Sequence, residues 1–124
     1  MEFTDVLRRR RMIRAFTADP LPEGLTDRLL AAAVRAPSAG FSQGFSFLVL
    51  QGAEQCAPFW RLVFAQAEEE ADEHMHRLVT GMSRAPLLIV PMASKDVYLD
   101  RYAQEDKGWT DRDEARWPVP YWYS

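Results

Sequence analysis

The chain has 124 residues, of which 48% are hydrophobic and 27% charged, a composition that suits one soluble globular domain and excludes a disordered tail. The formal net charge of -3 argues against a general nucleic-acid-binding protein. A lone cysteine, Cys56, excludes an internal disulfide, and no N-terminal apolar run resembles a signal peptide or a membrane span. We therefore predict a single cytoplasmic domain over residues 1–124 that binds neither nucleic acid nor membrane.

The positive charge is concentrated at the start of the chain. Five arginines lie within the first fourteen residues, against two acidic residues. Guanidinium groups present fixed forks of N–H donors that suit phosphate oxygens, and Arg10 or Arg11 could converge with Arg14 on one anion. The alternative is a solvated basic helix end, and the residues alone leave both interpretations open.

Hydrophobic spacing and turn residues predict the first elements in chain order. Thr4 to Arg11 reads as a short helix with Thr4 as its cap. A second helix begins near Thr26, its expected N-cap, and stops before Pro37. A loop of small and polar residues then leads into a short apolar run, Phe45 to Gln51, which predicts a buried strand.

The remaining elements continue this mixed pattern. One long helix is expected from Cys56 or Pro58 to about Met82. The continuous apolar run of residues 85–93 predicts a second strand buried on both faces. Ser94 then caps another helix, which precedes an irregular tail rich in tryptophan, tyrosine and proline. Helices that alternate with strands indicate a mixed α and β domain.

Two features predict that this domain is incomplete at its C-terminal end. Two strands are too few for a stable sheet in water. The aromatic side chains of the tail also have no following segment to cover them. We therefore expect a fragment, half of a nicked protein, or a protomer completed by a partner chain.

The loop before the first strand is a second candidate binding segment. Its small residues and glycines allow the backbone to approach a flat ligand closely. Ser38, Ser42 and Gln43 supply hydrogen-bonding groups at its edge. The alternative interpretation is an ordinary polar turn, and the loop alone does not decide between them.

The two segments together resemble the start of the nitroreductase family of flavin-dependent oxidoreductases. The pattern is R-R-x-x-R-x-F, followed after one helix by A-P-S-x-x-x-x-Q and an apolar strand. The later segment RAPLLIVPMAS is similar to the family's next strand, so that the resemblance covers essentially the whole chain. The matching residues are Arg10, Arg11, Arg14, Phe16, Ala36, Pro37, Ser38 and Gln43.

This resemblance implies a fold, a cofactor and a reaction. The fold is α+β, with three layers in which helices flank a central mixed sheet. Family members are usually homodimers that bind FMN at the subunit interface. In such a flavoprotein, NADH or NADPH delivers a hydride to flavin N5, and an electron-poor acceptor, such as a nitroaromatic or a quinone, then takes the electrons. No side chain needs to act as a catalytic acid or base.

The resemblance also implies which residues bind the cofactor. The arginines hold the FMN phosphate, the ribityl chain or the pyrimidine edge, and Pro37 and Ser38 approach the flavin from the other subunit. Met12 stands where many members have serine, so that only its backbone can serve, and Phe41 replaces the usual asparagine. The implied cofactor-binding residues are Arg10, Arg11, Met12, Arg14, Pro37, Ser38, Ala39 and Gln43.

Several other functions remain open or are disfavoured. The family's C-terminal part does not follow within this sequence, so an inactive fragment or a non-catalytic flavin-binding module is an alternative to the enzyme. A third alternative is a basic-ended interaction protein without flavin. No metal site is expected, because His74 and His76 point to different sides of one helix and Cys56 is distant in sequence.

Overall fold

The structure is a computed structural model that describes residues 2–69, 73–108 and 112. The chain forms two compact units, each built from two separate stretches of sequence. Unit 1 comprises Met1–Pro20 and Gln51–Leu87. Unit 2 comprises Leu21–Leu50 and Leu88–Ser124.

Within the described ranges the chain forms five α-helices and two strands. Two short 3-10 turns, Ala39–Phe41 and Glu105–Lys107, lie in unit 2. The elements in order are α1 (Phe3–Arg9), α2 (Leu25–Ala33), β1 (Phe45–Gln51), α3 (Gly52–Glu69), α4 (Glu73–Met82), β2 (Leu87–Ala93) and α5 (Lys95–Tyr102).

The two strands pair with each other, and hydrogen bonds at both ends show that they are antiparallel. The N–H of Ser94, just after β2, donates to the carbonyl of Gly44, just before β1, at 2.6 Å. At the opposite ends of the strands, the N–H of Gly52 donates to the carbonyl of Pro86 at 2.8 Å. The start of β1 therefore lies beside the end of β2.

The strands lie where the sequence predicts them, but the prediction of full burial is wrong. In β1, half-buried Phe45 and Phe47 alternate with exposed Ser46 and Leu48. In β2 the first four residues are half-buried and the last three are exposed. The reason is that each strand has one strand neighbour in the described sheet, so that one edge and part of one face stay open.

Gly44, just before β1, packs closely against α5. An added Cβ would lie 2.6 Å and 2.8 Å from ring carbons of Tyr98, a side chain on α5 that is only 1% exposed. We therefore expect Gly44→Ala to lower the free energy of unfolding by about 1–3 kcal/mol, the usual cost of overpacking. Urea denaturation measures this, with Ser46→Ala as an exposed control in β1. Equal urea midpoints for the two variants would show that Gly44 does not pack closely against Tyr98.

The helix α3 begins earlier than predicted. It starts at Gly52, directly after β1, and includes Pro58. The side chain of Gln55 explains this start, because its amide oxygen accepts a hydrogen bond from the N–H of Gln51 at 2.8 Å and so satisfies a donor ahead of the helix. The predicted single long helix is described as α3 and α4, and residues 70–72 between them lie outside the described part.

The core of unit 1 lies on one face of α3. Cys56, Trp60 and Ala67 are buried there at helical spacing, and Val79 of α4 is completely buried. Among the described residues of unit 2, Tyr98 and Leu99 of α5 are the buried side chains. The thiol of Cys56 is thus inside the core of unit 1.

The predicted helix caps differ from the observed ones. Thr26 lies inside the first turn of α2, and Gly24, in the left-handed conformation with φ 72°, precedes that helix instead. Thr4 likewise lies inside α1, which follows Glu2. Ser94 does precede α5, although its side chain makes no capping hydrogen bond. Of the predicted aromatic tail, residues 107–124, the structure describes Lys107, Gly108 and Arg112.

Among the described residues, no helix is long and apolar enough to cross a membrane.

Candidate functional site

The first candidate site residues form an exposed segment of unit 1, residues 8–14, called here the arginine segment. It begins in the last turn of α1, where the N–H of Arg10 donates to the carbonyl of Val6 at 3.0 Å. Beyond Arg10 the segment is not helical, and each of its residues is exposed. The helix therefore ends in a run of positive side chains open to solvent.

The guanidinium groups of this segment are not equivalent. Nη1 of Arg11 donates to the carbonyls of Arg8, at 2.5 Å, and of Arg10, at 2.9 Å. The guanidinium groups of Arg10 and Arg14 have no hydrogen-bond or ion-pair partner among residues 2–69, 73–108 and 112. Arg10 and Arg14, like Arg8 and Arg9, therefore keep N–H donors that can receive an anion.

Gly81 of α4 fixes the end of the arginine segment. The N–H of Phe16 donates to the carbonyl of Gly81 at 3.2 Å. The backbone carbonyl of Arg14 lies so close to Gly81 that a Cβ at this position would collide with it. The position of the Arg14 backbone therefore depends on the absence of a side chain at residue 81.

The second group of candidate residues lies in unit 2, around a turn over residues 38–43, called here the Ser38–Gln43 turn. The N–H of Phe41 donates to the carbonyl of Ser38 at 2.9 Å, and the N–H of Ser42 donates to that of Ala39 at 3.1 Å. Two serine hydroxyls complete the turn. Oγ of Ser38 accepts from the N–H of Gln43 at 2.9 Å, and Oγ of Ser42 donates to the carbonyl of Ala39 at 2.6 Å.

The backbone of this turn is unusual, because three of its residues have positive φ. Gly40 has φ 61°, Phe41 has φ 55° and Gln43 has φ 52°. Non-glycine residues rarely adopt this conformation, and for a bulky residue such as Phe41 it is a clear outlier. Such strain persists only where surrounding contacts hold it, and it clusters at functional sites. Phe41 is also 77% exposed.

A contact from α5 holds the turn. Nε of Arg101 donates to the carbonyl of Gly40 at 3.0 Å. The same guanidinium makes a bidentate pair with the carboxylate of Asp106, at 2.7 Å and 2.8 Å, and also donates to the side chain of Gln104 at 2.8 Å. The hydrogen bond from Arg101 lowers the pKa of Asp106 and raises that of Arg101, so that both stay charged at neutral pH.

Two tyrosines of α5 pack against the same region. A Cβ on Gly40 would lie 2.9–3.1 Å from Cε2, Cζ and Oη of Tyr102, so that this side chain would have to shift for any residue other than glycine. Nζ of Lys107 lies 5.6 Å from the centroid of that ring, within reach of a cation–π interaction. Burial, with a smaller contribution from Tyr102, raises the pKa of the Tyr98 phenol, which therefore stays neutral.

A cavity of about 600 Å³ lies beside the turn, within unit 2. Pro37 and Ser38 form part of its wall, and Phe45, Phe47 and Tyr98 supply aromatic surface. This volume falls in the range of small-molecule sites, which are mostly apolar with a few polar groups. The cavity can accept a flat apolar ring next to the polar edge of the turn.

The predicted site residues thus fall into two groups. Arg10, Arg11, Met12 and Arg14 lie together in unit 1. Pro37, Ser38, Ala39 and Gln43 lie together in unit 2, where Ser38 and Gln43 are directly hydrogen-bonded. Their role in cofactor binding remains a prediction. No group of histidine, cysteine or acidic residues in the described part of the chain could hold a metal ion.

Sequence reasoning missed Gly81 and Arg101. Neither belongs to a motif, and each acts on a segment far away in sequence, Gly81 on residues 14–16 and Arg101 on Gly40. A glycine inside a helical pattern is a weak signal for close backbone approach. Nothing near Arg101 in the sequence points to Gly40.

The antiparallel strand pair and its flanking helices define an α+β protein of nitroreductase-like fold. The family model described as Nitroreductase family matches residues 7–121, and the chain therefore belongs to that family. Both predictions, of fold class and of family, are confirmed.

One solved structure and one curated relative give the extent of the similarity. A crystal structure of a nitroreductase-like protein from Streptococcus mutans is 20% identical, with a TM-score of 0.57, and the match covers 94% of this chain and 54% of that one. An NADH dehydrogenase from Thermus thermophilus is 39% identical over 62 residues, which are 50% of this chain and 30% of the relative. The chain thus spans about half of the first protein and its match less than a third of the second.

Proposed function

We propose that this protein is an FMN-dependent oxidoreductase that transfers electrons from NADH or NADPH to an electron-poor small molecule, such as a nitroaromatic or a quinone. Membership of the nitroreductase family supports the class, and a relative named NADH dehydrogenase agrees with a nicotinamide donor. The observation that carries the proposal is that both family motifs present exposed polar side chains, Arg10 and Arg14 in the first and Gln43 in the second.

The arginine segment fits the phosphate end of FMN. Arg10 offers an exposed guanidinium group, whose paired N–H donors match phosphate oxygens. Arg11 contributes mainly by holding the local backbone, since its Nη1 already donates to two carbonyls. Met12 has no polar side-chain donor, and only its backbone N–H can take part.

The Ser38–Gln43 turn fits the edge of a flavin ring. Oγ of Ser38 accepts from the N–H of Gln43, which leaves the hydroxyl proton of Ser38 available as a donor. The side chain of Gln43 is exposed and carries both a donor and an acceptor. Pro37 and Ala39 flank these groups with small surfaces that permit close approach.

The chain's residues would contribute position and charge to the reaction. When bound, FMN would supply the hydride-accepting and electron-transferring chemistry. A guanidinium placed at the pyrimidine edge stabilises the negative charge that develops there on reduction, and Arg14 is the residue we assign to this role. No acid or base from the chain is required.

We also propose that the protein functions in the cytoplasm as a homodimer, or together with a complementing chain. Large apolar side chains near the start of unit 1 support an interface there. Phe3 is 75% exposed, Met12 68% and Ile13 56%. Large exposed apolar surface is typical of protein–protein contacts.

Anaerobic reduction of the FMN-loaded protein tests the proposed reaction. We expect NADH or NADPH to bleach the visible flavin band, and addition of a quinone to restore it. Free FMN at the same concentration is the control. Bound FMN that neither nucleotide bleaches would favour the non-catalytic flavin-binding module instead.

A further inference from the structure

We infer that Arg101 is a positioning residue, which holds the Ser38–Gln43 turn in the strained shape that FMN binding requires. The inference rests on the proposed function for its ligand and on contacts within unit 2 for its mechanism. Arg101 itself is not expected to touch the cofactor. It acts through the carbonyl of Gly40, 61 residues away in sequence.

The Ser38–Gln43 turn needs a support from outside its own residues. Its left-handed residues include Phe41 and Gln43, which would relax to negative φ in a free peptide. Its internal hydrogen bonds join residues no more than five apart in sequence. Such local bonds define the turn, but they do not tie it to the rest of the fold.

Arg101 supplies this support through a hydrogen bond whose donor, Nε, is held in a fixed direction. Its Nε hydrogen bond to Gly40 is partly buried, and the guanidinium side chain is only 24% exposed. The bidentate pair with Asp106 fixes the plane of the guanidinium and therefore the direction in which Nε points. Tyr102, the next residue, packs its ring against Gly40. The last turn of α5 thus holds one residue of the turn from two sides.

Loss of the contact at Gly40 would disturb the two polar groups that we assign to flavin binding. Ser38 and Gln43 lie two residues before and three residues after Gly40, and they are hydrogen-bonded to each other. Release of Gly40 would let the backbone rotate toward unstrained φ values, and the Gln43 side chain and the Ser38 hydroxyl would lose their common orientation. FMN would then have to order these two side chains when it binds. The free energy needed for this ordering would lower the affinity for FMN.

The test compares Arg101→Gln with Arg112→Gln in the full chain. Arg112 is a matched control, because it pairs with Asp96 at 3.0 Å and Asp100 at 3.1 Å within unit 2. We expect Arg101→Gln to raise the Kd for FMN about tenfold or more, with wild-type affinity in the control. Thermal stability is measured for both, so that a loss of affinity without a matching loss of stability identifies positioning.

Amide hydrogen exchange gives a readout that does not need flavin. In Arg101→Gln we expect faster exchange at Phe41, Ser42 and Gln43, whose N–H groups make the internal bonds of the turn. Asp106→Asn keeps the arginine but weakens its anchor, and it should show a smaller effect in the same direction. It also serves if the first variant fails to fold. Arg101→Lys, which keeps the charge without the fork, should not restore the affinity.

The outcomes separate the two hypotheses. If wild-type protein binds FMN and Arg101→Gln binds it equally well, with unchanged exchange in the turn, the positioning role is wrong. If wild-type protein binds no FMN, the proposed function fails. In that case the exchange rates alone decide whether Arg101 holds the turn, and unchanged rates overturn the inference.

Discussion

Arg14→Ala is expected to weaken FMN binding by roughly 10- to 100-fold. A hydrogen bond to a charged group contributes about 1.5–3 kcal/mol, and each 1.4 kcal/mol corresponds to a factor of ten in Kd. Arg14 is exposed, and its guanidinium has no partner among the described residues, so that its loss disrupts no observed internal contact. The stability of the folded protein should therefore change little. Fluorescence titration with FMN and thermal unfolding measure the two quantities.

Arg28→Ala is the control for this prediction. It removes the same guanidinium from an exposed position in α2, outside the arginine segment. We expect FMN affinity within about a factor of two of wild type, because a surface charge outside the site changes the free energy by less than about 0.5 kcal/mol. If Arg28→Ala and Arg14→Ala weaken binding equally, Arg14 contributes only general positive charge.

The second prediction is that Gly81→Ala lowers the free energy of unfolding, which is the opposite of the usual effect of this replacement inside a helix. Replacement of glycine by alanine inside a helix normally stabilises by up to about 1 kcal/mol. Here the new methyl group would collide with the backbone carbonyl of Arg14, which cannot move aside as a side chain can. We expect a loss of about 1–3 kcal/mol of unfolding free energy, as for overpacked cores, together with weaker FMN binding.

Thr80→Ala controls for changes in α4 itself. Thr80 is the neighbouring residue and is exposed, and its hydroxyl donates to the carbonyl of His76 within the same helix. Its replacement should change stability by less than about 0.5 kcal/mol and leave FMN affinity unchanged. A Gly81→Ala variant as stable as wild type would show that the Arg14 backbone does not pack against α4.

Local sequence signals predicted the strands well. The apolar run from Phe45 to Gln51 is bounded by Gly44 and Gly52, and the observed strand has those bounds. The apolar run of residues 85–93 likewise contains the second strand, β2. The two family motifs also identified the right protein family, because their residue types and spacing are specific in combination.

Features set by particular side-chain contacts were not predictable. The start of α3 depends on the Gln55 side chain reaching the N–H of Gln51, which outweighs the later signal at Pro58. The shape of the Ser38–Gln43 turn depends on Arg101, and no local pattern encodes that contact. Burial of the strands was overpredicted for a related reason, since hydrophobicity reports what a strand can bury and not how many neighbours it has.

The central claim is that this chain carries an FMN site, and the most direct measurement is a visible absorption spectrum. The purified protein would be mixed with FMN, passed through a gel-filtration column and scanned. The account predicts a flavin band that elutes with the protein, and less of it in Arg14→Ala. A colourless protein peak, with all of the FMN in the later small-molecule fraction, would contradict the account.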